Sequence, residues 1–86
     1  MSDLLRYLEQ AHSITILLDI GEIEGRPISD YTFGGADKTR MARIKEAEKV
    51  GLVAIHDGYQ YNAKKVNLTD KGRALLHLIQ AISYWP

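Results

Sequence analysis

With 86 residues, the chain is long enough for one folded domain, and we expect a single domain over residues 1–86. It contains no cysteine, which excludes disulfide frameworks and thiolate metal sites. Eleven basic residues balance eleven acidic ones, and a net charge of zero argues against the basic surface that nucleic-acid-binding proteins usually carry.

The first predicted element is a helix near the N-terminus. Leu4 and Leu8 recur on one face of residues 3–12, and Ser2 stands where a helix N-cap is expected. The apolar run that follows, "ITILL", is far too short for a signal core or a membrane span. We therefore expect a cytoplasmic protein with no membrane partner.

The segment after this helix allows two interpretations. Ser13 could cap a second helix that Gly21 ends, or residues 3–20 could form one bent helix, and the β-branched residues at 14–16 weaken both versions. Beyond it, "EIEGRPIS" indicates a loop with a short extended piece, because Pro27 disfavours helix at the residue before it.

The clearest helix is predicted over residues 37–50. Asp37 can cap its start, and Gly51 stands where a glycine commonly follows a helix. At 100° per residue, Ile44 and Ala47 share the buried side together with Met41. The opposite side carries Lys38, Thr39, Ala42, Lys45, Glu46 and Lys49, with Arg43 on one flank and Arg40 near the core edge.

Two strands follow this helix. If Ile55 faces Val66, then Val53 faces Leu68, and the tip of the hairpin lies near residues 60–61. The competing register uses "DG" at residues 57 and 58 as a two-residue turn and leaves the apolar residues of the second strand without partners. The apolar pattern therefore favours the first register.

A last helix is predicted over residues 70–85, with Thr69 or Asp70 at its start. Its apolar residues spread over more than the arc that covers a small core, and no charged residue follows Arg73. The excess apolar surface needs a cover. We expect a homodimer interface formed by Leu4, Leu8, Leu75, Leu78, Ile79, Ile82 and Trp85.

The phrases "RIKEAEKVGLV" and "VNLTDKGR" resemble, in this order and at this spacing, the recognition helix and second wing strand of MarR- and PadR-like regulators of bacteria and archaea. The resemblance covers about residues 13–73. It implies a winged helix-turn-helix fold of the α+β class, mostly helical, with a two-stranded wing hairpin and flanking N- and C-terminal helices.

The resemblance also implies a function, namely sequence-specific binding of double-stranded DNA by a homodimeric transcriptional regulator. The helix at 37–50 would enter the major groove and the wing at 56–66 would contact the backbone. The charge distribution agrees, because residues 36–73 hold nine bases against five acids, whereas residues 1–35 hold two against six. The expected DNA contacts are Lys38, Thr39, Arg40, Ala42, Arg43, Lys45, Lys49, Tyr59, Tyr61, Lys64 and Lys65.

Other functions have little support in the sequence. His12, His56 and His77 lack the spacing of metal ligands, so we expect no metal and no cofactor. No nucleophile with its base and no phosphate-binding loop indicates an enzyme, and no motif indicates a small-molecule ligand. The alternative is a protein–protein interaction module that joins a larger assembly through its apolar terminal helices.

Overall fold

The polypeptide alternates helices with short antiparallel strands. The computed structural model describes residues 2–31, 37–56 and 64–85. The helices are α1 (Asp3–Glu9), α2 (Ser13–Glu22), α3 (Asp37–Lys49) and α4 (Asp70–Ser83), and the strands are β1 (Arg26–Pro27), β2 (Val53–His56) and β3 (Lys65–Leu68). A 3₁₀ turn at Ile28–Asp30 follows β1. This arrangement is mostly helical and of the α+β class.

The N-terminal segment forms two helices rather than one bent helix. The break lies at His12, whose φ of 68° places a non-glycine residue in the left-handed region. The Ser13 hydroxyl donates hydrogen bonds of 3.0 Å to the carbonyls of Leu8 and Gln10. This serine therefore closes the turn after α1, while Ser2 caps the start of α1 as predicted.

The prediction that Gly21 ends the second helix is wrong, because α2 continues to Glu22. Gly21 instead allows α2 and α4 to approach each other, since a Cβ at this position would overlap the side chain of Leu76. After α2 the chain turns into β1, and the Tyr31 hydroxyl holds this turn by donating a 2.8 Å hydrogen bond to the carbonyl of Ile23.

Within the described residues, the sheet has three antiparallel strands in the order β1-β3-β2. The favoured register is confirmed, because Ile55 pairs with Val66 and Val53 pairs with Leu68. The expected short extended piece is β1, which pairs with the outer side of β3 and adds a third strand to the predicted hairpin. The predicted tip and the "DG" of the competing turn lie outside the described residues.

The end of α3 is a glycine-terminated Schellman motif. Gly51 has a φ of 82°, its N–H donates to Glu48, and the N–H of Leu52 donates to Ala47 over 2.9 Å. The predicted glycine stop is therefore confirmed. The chain then turns sharply into β2, which places Leu52 and Val53 in the core.

The start of α4 packs directly on this turn. Thr69 caps α4 by accepting a 3.0 Å hydrogen bond from Gly72 N–H, and its own hydroxyl donates to the Gly51 carbonyl at 2.5 Å. Lys71 Nζ donates to the Val50 carbonyl at 2.8 Å. A Cβ on Gly72 would overlap the carbonyl oxygen of Leu52, so the glycine allows the start of α4 to lie close to this turn.

The core lies between α2, α3, α4 and the inner face of the sheet. Ile44 and Ala47 are fully buried, as predicted, but Met41 is only half-buried and lines a surface groove. The largest fully buried side chains are Ile16, Leu17, Ile20, Ile28, Ile44, Leu52 and Val66. Among the residues that the structure describes, no helix combines the length and apolarity needed to cross a lipid bilayer.

Candidate nucleic-acid interface

The outward side of α3 carries a groove lined by Lys38, Met41, Ala42 and Lys45. These positions are three and four residues apart, so they lie on one face of the helix. Lys38 and Lys45 are exposed, whereas Met41 and Ala42 are half-buried between them. The groove therefore has an apolar floor and a cation at each end.

Two more of the predicted contacts lie on or beside this face. Lys49 is exposed one turn beyond Lys45, and Thr39 is half-buried near the start of α3. Helix α3 begins at Asp37. The structure does not describe the side chain of this residue, so its predicted capping role stays a prediction.

Arg43 is directed toward α1 rather than toward the groove. Its Nη1 donates to Glu46 Oε2 at 2.5 Å and to Gln10 Oε1 at 3.1 Å, and only 16% of its side chain is exposed. An arginine held by two acceptors and largely buried fixes the packing of α1 on α3. Its role as a DNA contact stays a prediction, and it would require these hydrogen bonds to break.

Arg40 also makes a contact within the protein. Its Nη1 donates a 3.1 Å hydrogen bond to the carbonyl of Tyr31, where the chain leaves the turn that follows β1. The residue is half-buried. The hydrogen bond joins the first turn of α3 to the segment before it, and the predicted DNA contact of Arg40 is likewise untested.

The hairpin of β2 and β3 lies at the edge of the sheet that β2 forms, and one of its faces points outward. Lys65 is exposed and lies opposite His56, whose Nε2 is 2.6 Å from the Asn67 Oδ1 on the neighbouring strand. Lys64 is half-buried at the start of the returning strand. The two predicted tip contacts, Tyr59 and Tyr61, lie outside the described residues.

A second depression separates α1 from the last turns of α3. It encloses about 260 Å³, and Tyr7 forms its floor. Burial raises the pKa of the Tyr7 hydroxyl above its ordinary value, the Glu46 carboxylate raises that pKa further, and Arg43 lowers it. The rim holds charges of both signs, in Asp3, Arg6, Glu46 and Lys49.

The predicted dimer residues fall into two groups. Leu4, Leu8, Leu75 and Ile79 are half-buried and pack against the core of their own chain. In contrast, Leu78, Ile82 and Trp85 are 62%, 71% and 81% exposed, and their spacing places them on one stripe of α4 and the residues after it. These three residues form an exposed apolar stripe; other large apolar side chains are exposed elsewhere, at Leu5, Ile14, Leu18, Ile23 and Tyr84.

No group of His, Asp or Glu side chains suited to a metal ion occurs in the described ranges 2–31, 37–56 and 64–85. Sequence patterns also missed two features of this region. Lys71 was not expected to contact α3, and Met41 was not expected to reach the outward groove. For Met41 the spacing contained the signal, because at 100° per residue it lies 300° around the helix from Lys38 and so beside the outward face. For Lys71, which follows a capping threonine, the spacing contained no such signal.

These elements together define a winged helix-turn-helix domain. Helix α3 comes after β1 and the 3₁₀ turn at Ile28–Asp30, the hairpin of β2 and β3 forms the wing, and the remaining helices pack around them. The fold class predicted from the sequence is therefore confirmed.

Comparison with solved structures gives the same fold. A possible HxlR family transcriptional factor from Thermoplasma volcanium GSS1 matches with a TM-score of 0.76 and 24% identity, over 93% of this chain and 78% of that one. Staphylococcus aureus MarR in complex with salicylate and kanamycin matches with a TM-score of 0.73 and 18% identity, over 94% of this chain but 61% of the MarR chain. No protein-family model and no curated protein matches the sequence.

Proposed function

We propose that this protein is a non-enzymatic transcriptional regulator of the cytoplasm that binds double-stranded DNA sequence-specifically as a homodimer. The observation that supports this proposal most directly is the groove of α3, which has a cation at each end and faces outward from a winged-helix scaffold. Helix α3 enters the major groove, and the wing at residues 56–66 lies along the phosphate backbone. The printed descriptions of the two similar structures, a possible transcriptional factor and MarR, support this proposal.

The exposed lysines supply the affinity. Lys38, Lys45, Lys49 and Lys65 are all exposed, and an ammonium group neutralises a phosphate without demanding a particular base. If all four contact phosphates, the logarithm of the binding constant should fall with the logarithm of salt concentration with a slope of about −3.6 per protomer, since each contact contributes about −0.9.

The homodimer is proposed from the exposed stripe of α4. Leu78, Ile82 and Trp85 present apolar side chains in a segment that carries no charge, so a second copy can lie against the same surface without repulsion. Two copies related by a twofold axis would place their α3 helices on half-sites about one helical turn of DNA apart.

The DNA proposal is tested by fluorescence anisotropy on a pool of labelled random-sequence duplexes over a salt series. The double variant Lys45→Ala and Lys65→Ala should bind more weakly and lose about 1.8 per protomer from the salt slope. Arg6→Ala is the matched control, because it removes an exposed cation from α1 and leaves the α3 groove intact. Wild type without measurable retention at low salt, or equal losses in both variants, contradicts the proposed surface.

The dimer is tested separately by light scattering. Wild type should have twice the 9.7 kDa mass of one chain, and Ile82→Ser with Trp85→Ser should have the mass of one chain while keeping its helical circular dichroism. A wild-type protein with the mass of one chain at concentrations far above those of the DNA assay rules out the homodimer.

The same stripe favours a second function, that of a protein–protein interaction module in which a different protein covers α4. Exposed apolar patches of this kind often mark such surfaces. A monomeric protein that does not retain DNA would support this alternative over the first proposal.

A further inference from the structure

The base-reading surface of α3 has an unusual composition. Its floor is Met41 and Ala42, and its ends are Lys38 and Lys45. Apolar groups therefore occupy the positions nearest the middle of the face, where a recognition helix meets the edges of the bases.

Of the side chains that read bases through paired hydrogen bonds, lysine alone lines this groove, and it stands at the two ends rather than on the floor. Arginine reads guanine in this way, but Arg40 donates to the Tyr31 carbonyl and Arg43 donates to Glu46 and Gln10. Asparagine and glutamine read adenine in this way, and the sequence of α3, "DKTRMARIKEAEK", contains neither.

The chemistry that remains on the floor of the groove is contact with methyl groups. In the major groove, thymine alone among the four bases presents a methyl group, on C5, and small apolar side chains pack against it. The half-buried Ala42 and Met41 offer apolar surface of this kind, and Lys38 and Lys45 line the two ends of the same groove.

We propose that α3 distinguishes its DNA sites mainly through thymine C5-methyl groups, with Ala42 and Met41 as the specificity-determining residues. The sites are therefore rich in thymine beneath α3, on either strand. This inference rests on the proposed DNA-binding function and adds to it the feature of the base pairs that is recognised.

Replacement of thymine by deoxyuridine tests the inference directly, because it removes the methyl group and leaves the base-pairing groups unchanged. The probe is a duplex enriched from a random pool by repeated binding to wild-type protein, synthesised once with thymine and once with deoxyuridine in the protected region. We expect a loss of affinity of about fourfold for each contacted methyl group, the transfer value for one buried CH₂ or CH₃. The salt slope should stay the same, because the phosphate contacts are unchanged.

The ratio of the two dissociation constants, deoxyuridine over thymine, separates recognition from folding. In Met41→Ala and in Ala42→Gly this ratio should fall toward one. Glu48→Gly is the matched control for a glycine in α3, because Glu48 is exposed and does not line the groove, so this variant should keep the wild-type ratio.

The outcomes are distinguishable from those of the first proposal. Equal binding of the two duplexes by wild type, or an unchanged ratio in both groove variants, overturns the methyl-reading proposal and leaves DNA binding intact. Failure of wild type to enrich or retain any duplex overturns DNA binding itself.

Discussion

Replacing Gly72 by alanine should destabilise the protein, although alanine is the better helix former. Gly72 lies in the first turn of α4, where a Cβ would overlap the carbonyl oxygen of Leu52 and come within 3.0 Å of the carbonyl carbon. Both atoms belong to the backbone at the turn after α3, so neither can move aside as the end of a side chain could. The third neighbour, Leu68 Cδ2 at 3.3 Å, adds to the crowding.

The magnitude follows from three contributions. Overpacking of a tight site costs about 1–3 kcal/mol. Displacing the start of α4 also weakens the cap between Thr69 and Gly72 N–H, which contributes about 1 kcal/mol. The helix propensity of alanine returns about 1 kcal/mol. The net loss is about 2 kcal/mol, a large part of the stability of about 4–13 kcal/mol expected for a chain of this length.

The assay is urea unfolding followed by circular dichroism. With a slope near 1 kcal/mol per molar urea, the midpoint should fall by about 2 M. Protomer concentration must be equal in all samples, because a dimer is stabilised by mass action. Ala74→Gly is the matched control at an exposed position of the same helix, where propensity alone acts and glycine should cost about 1 kcal/mol.

The two substitutions change the same two residue types in opposite directions, so propensity alone predicts effects of opposite sign. We expect destabilisation in both. If Gly72→Ala unfolds at the wild-type midpoint or above it, the close approach of α4 to the turn after α3 is not present in solution, and the reasoning is refuted.

Three further predictions concern other parts of the fold. Burial raises the pKa of Tyr7, so the unfolded chain releases the hydroxyl proton first and the free energy of unfolding should fall above about pH 10. Urea titrations at several pH values measure this fall, and Tyr7→Phe should reduce its steepness by up to about 1.4 kcal/mol per pH unit. Gly51→Ala should lower the free energy of unfolding in urea by about 1 kcal/mol, whereas Gly51→Asn should cost less, since asparagine tolerates the left-handed conformation. Equal costs would contradict a conformational origin. Glu24→Ala should lower the free energy of unfolding by about 1–2 kcal/mol, because Glu24 Oε1 accepts the Leu68 N–H at 2.7 Å. Arg73→Ala removes a partly exposed ion pair and should lower it by less than about 1 kcal/mol. The reverse order would contradict this account.

Features governed by neighbouring residues were predictable from the sequence. Gly51 follows a periodic helix and precedes a β-branched strand, so a glycine stop was expected, and its φ of 82° agrees with that role. Thr69 precedes an acidic first turn and caps α4 as expected. The register of β2 and β3 followed from matching Val53 and Ile55 to Leu68 and Val66, because a shift of one residue would expose the apolar set.

Features governed by distant residues were not predictable in this way. The break at His12 depends on a non-glycine residue in the left-handed region, a conformation that is uncommon even for histidine, so the sequence left one bent helix as an alternative. Gly21 resembles a helix stop in sequence, but its role depends on Leu76, which is 55 positions away along the chain. The directions of Arg40 and Arg43 likewise depend on acceptors in Tyr31 and α1, so helical projection gave their angular position without their partners.

Arginine and lysine are separated between the two sides of α3, and this separation links packing to recognition. A guanidinium group makes several directed hydrogen bonds, which suits Arg43 to its place between α1 and α3 and Arg40 to the Tyr31 carbonyl. An ammonium group is a compact and strongly hydrated charge, which suits the exposed lysines to phosphates. Since the directed donors are engaged in positioning α3, our proposals assign the affinity for DNA to the exposed lysines and the discrimination between bases to Met41 and Ala42.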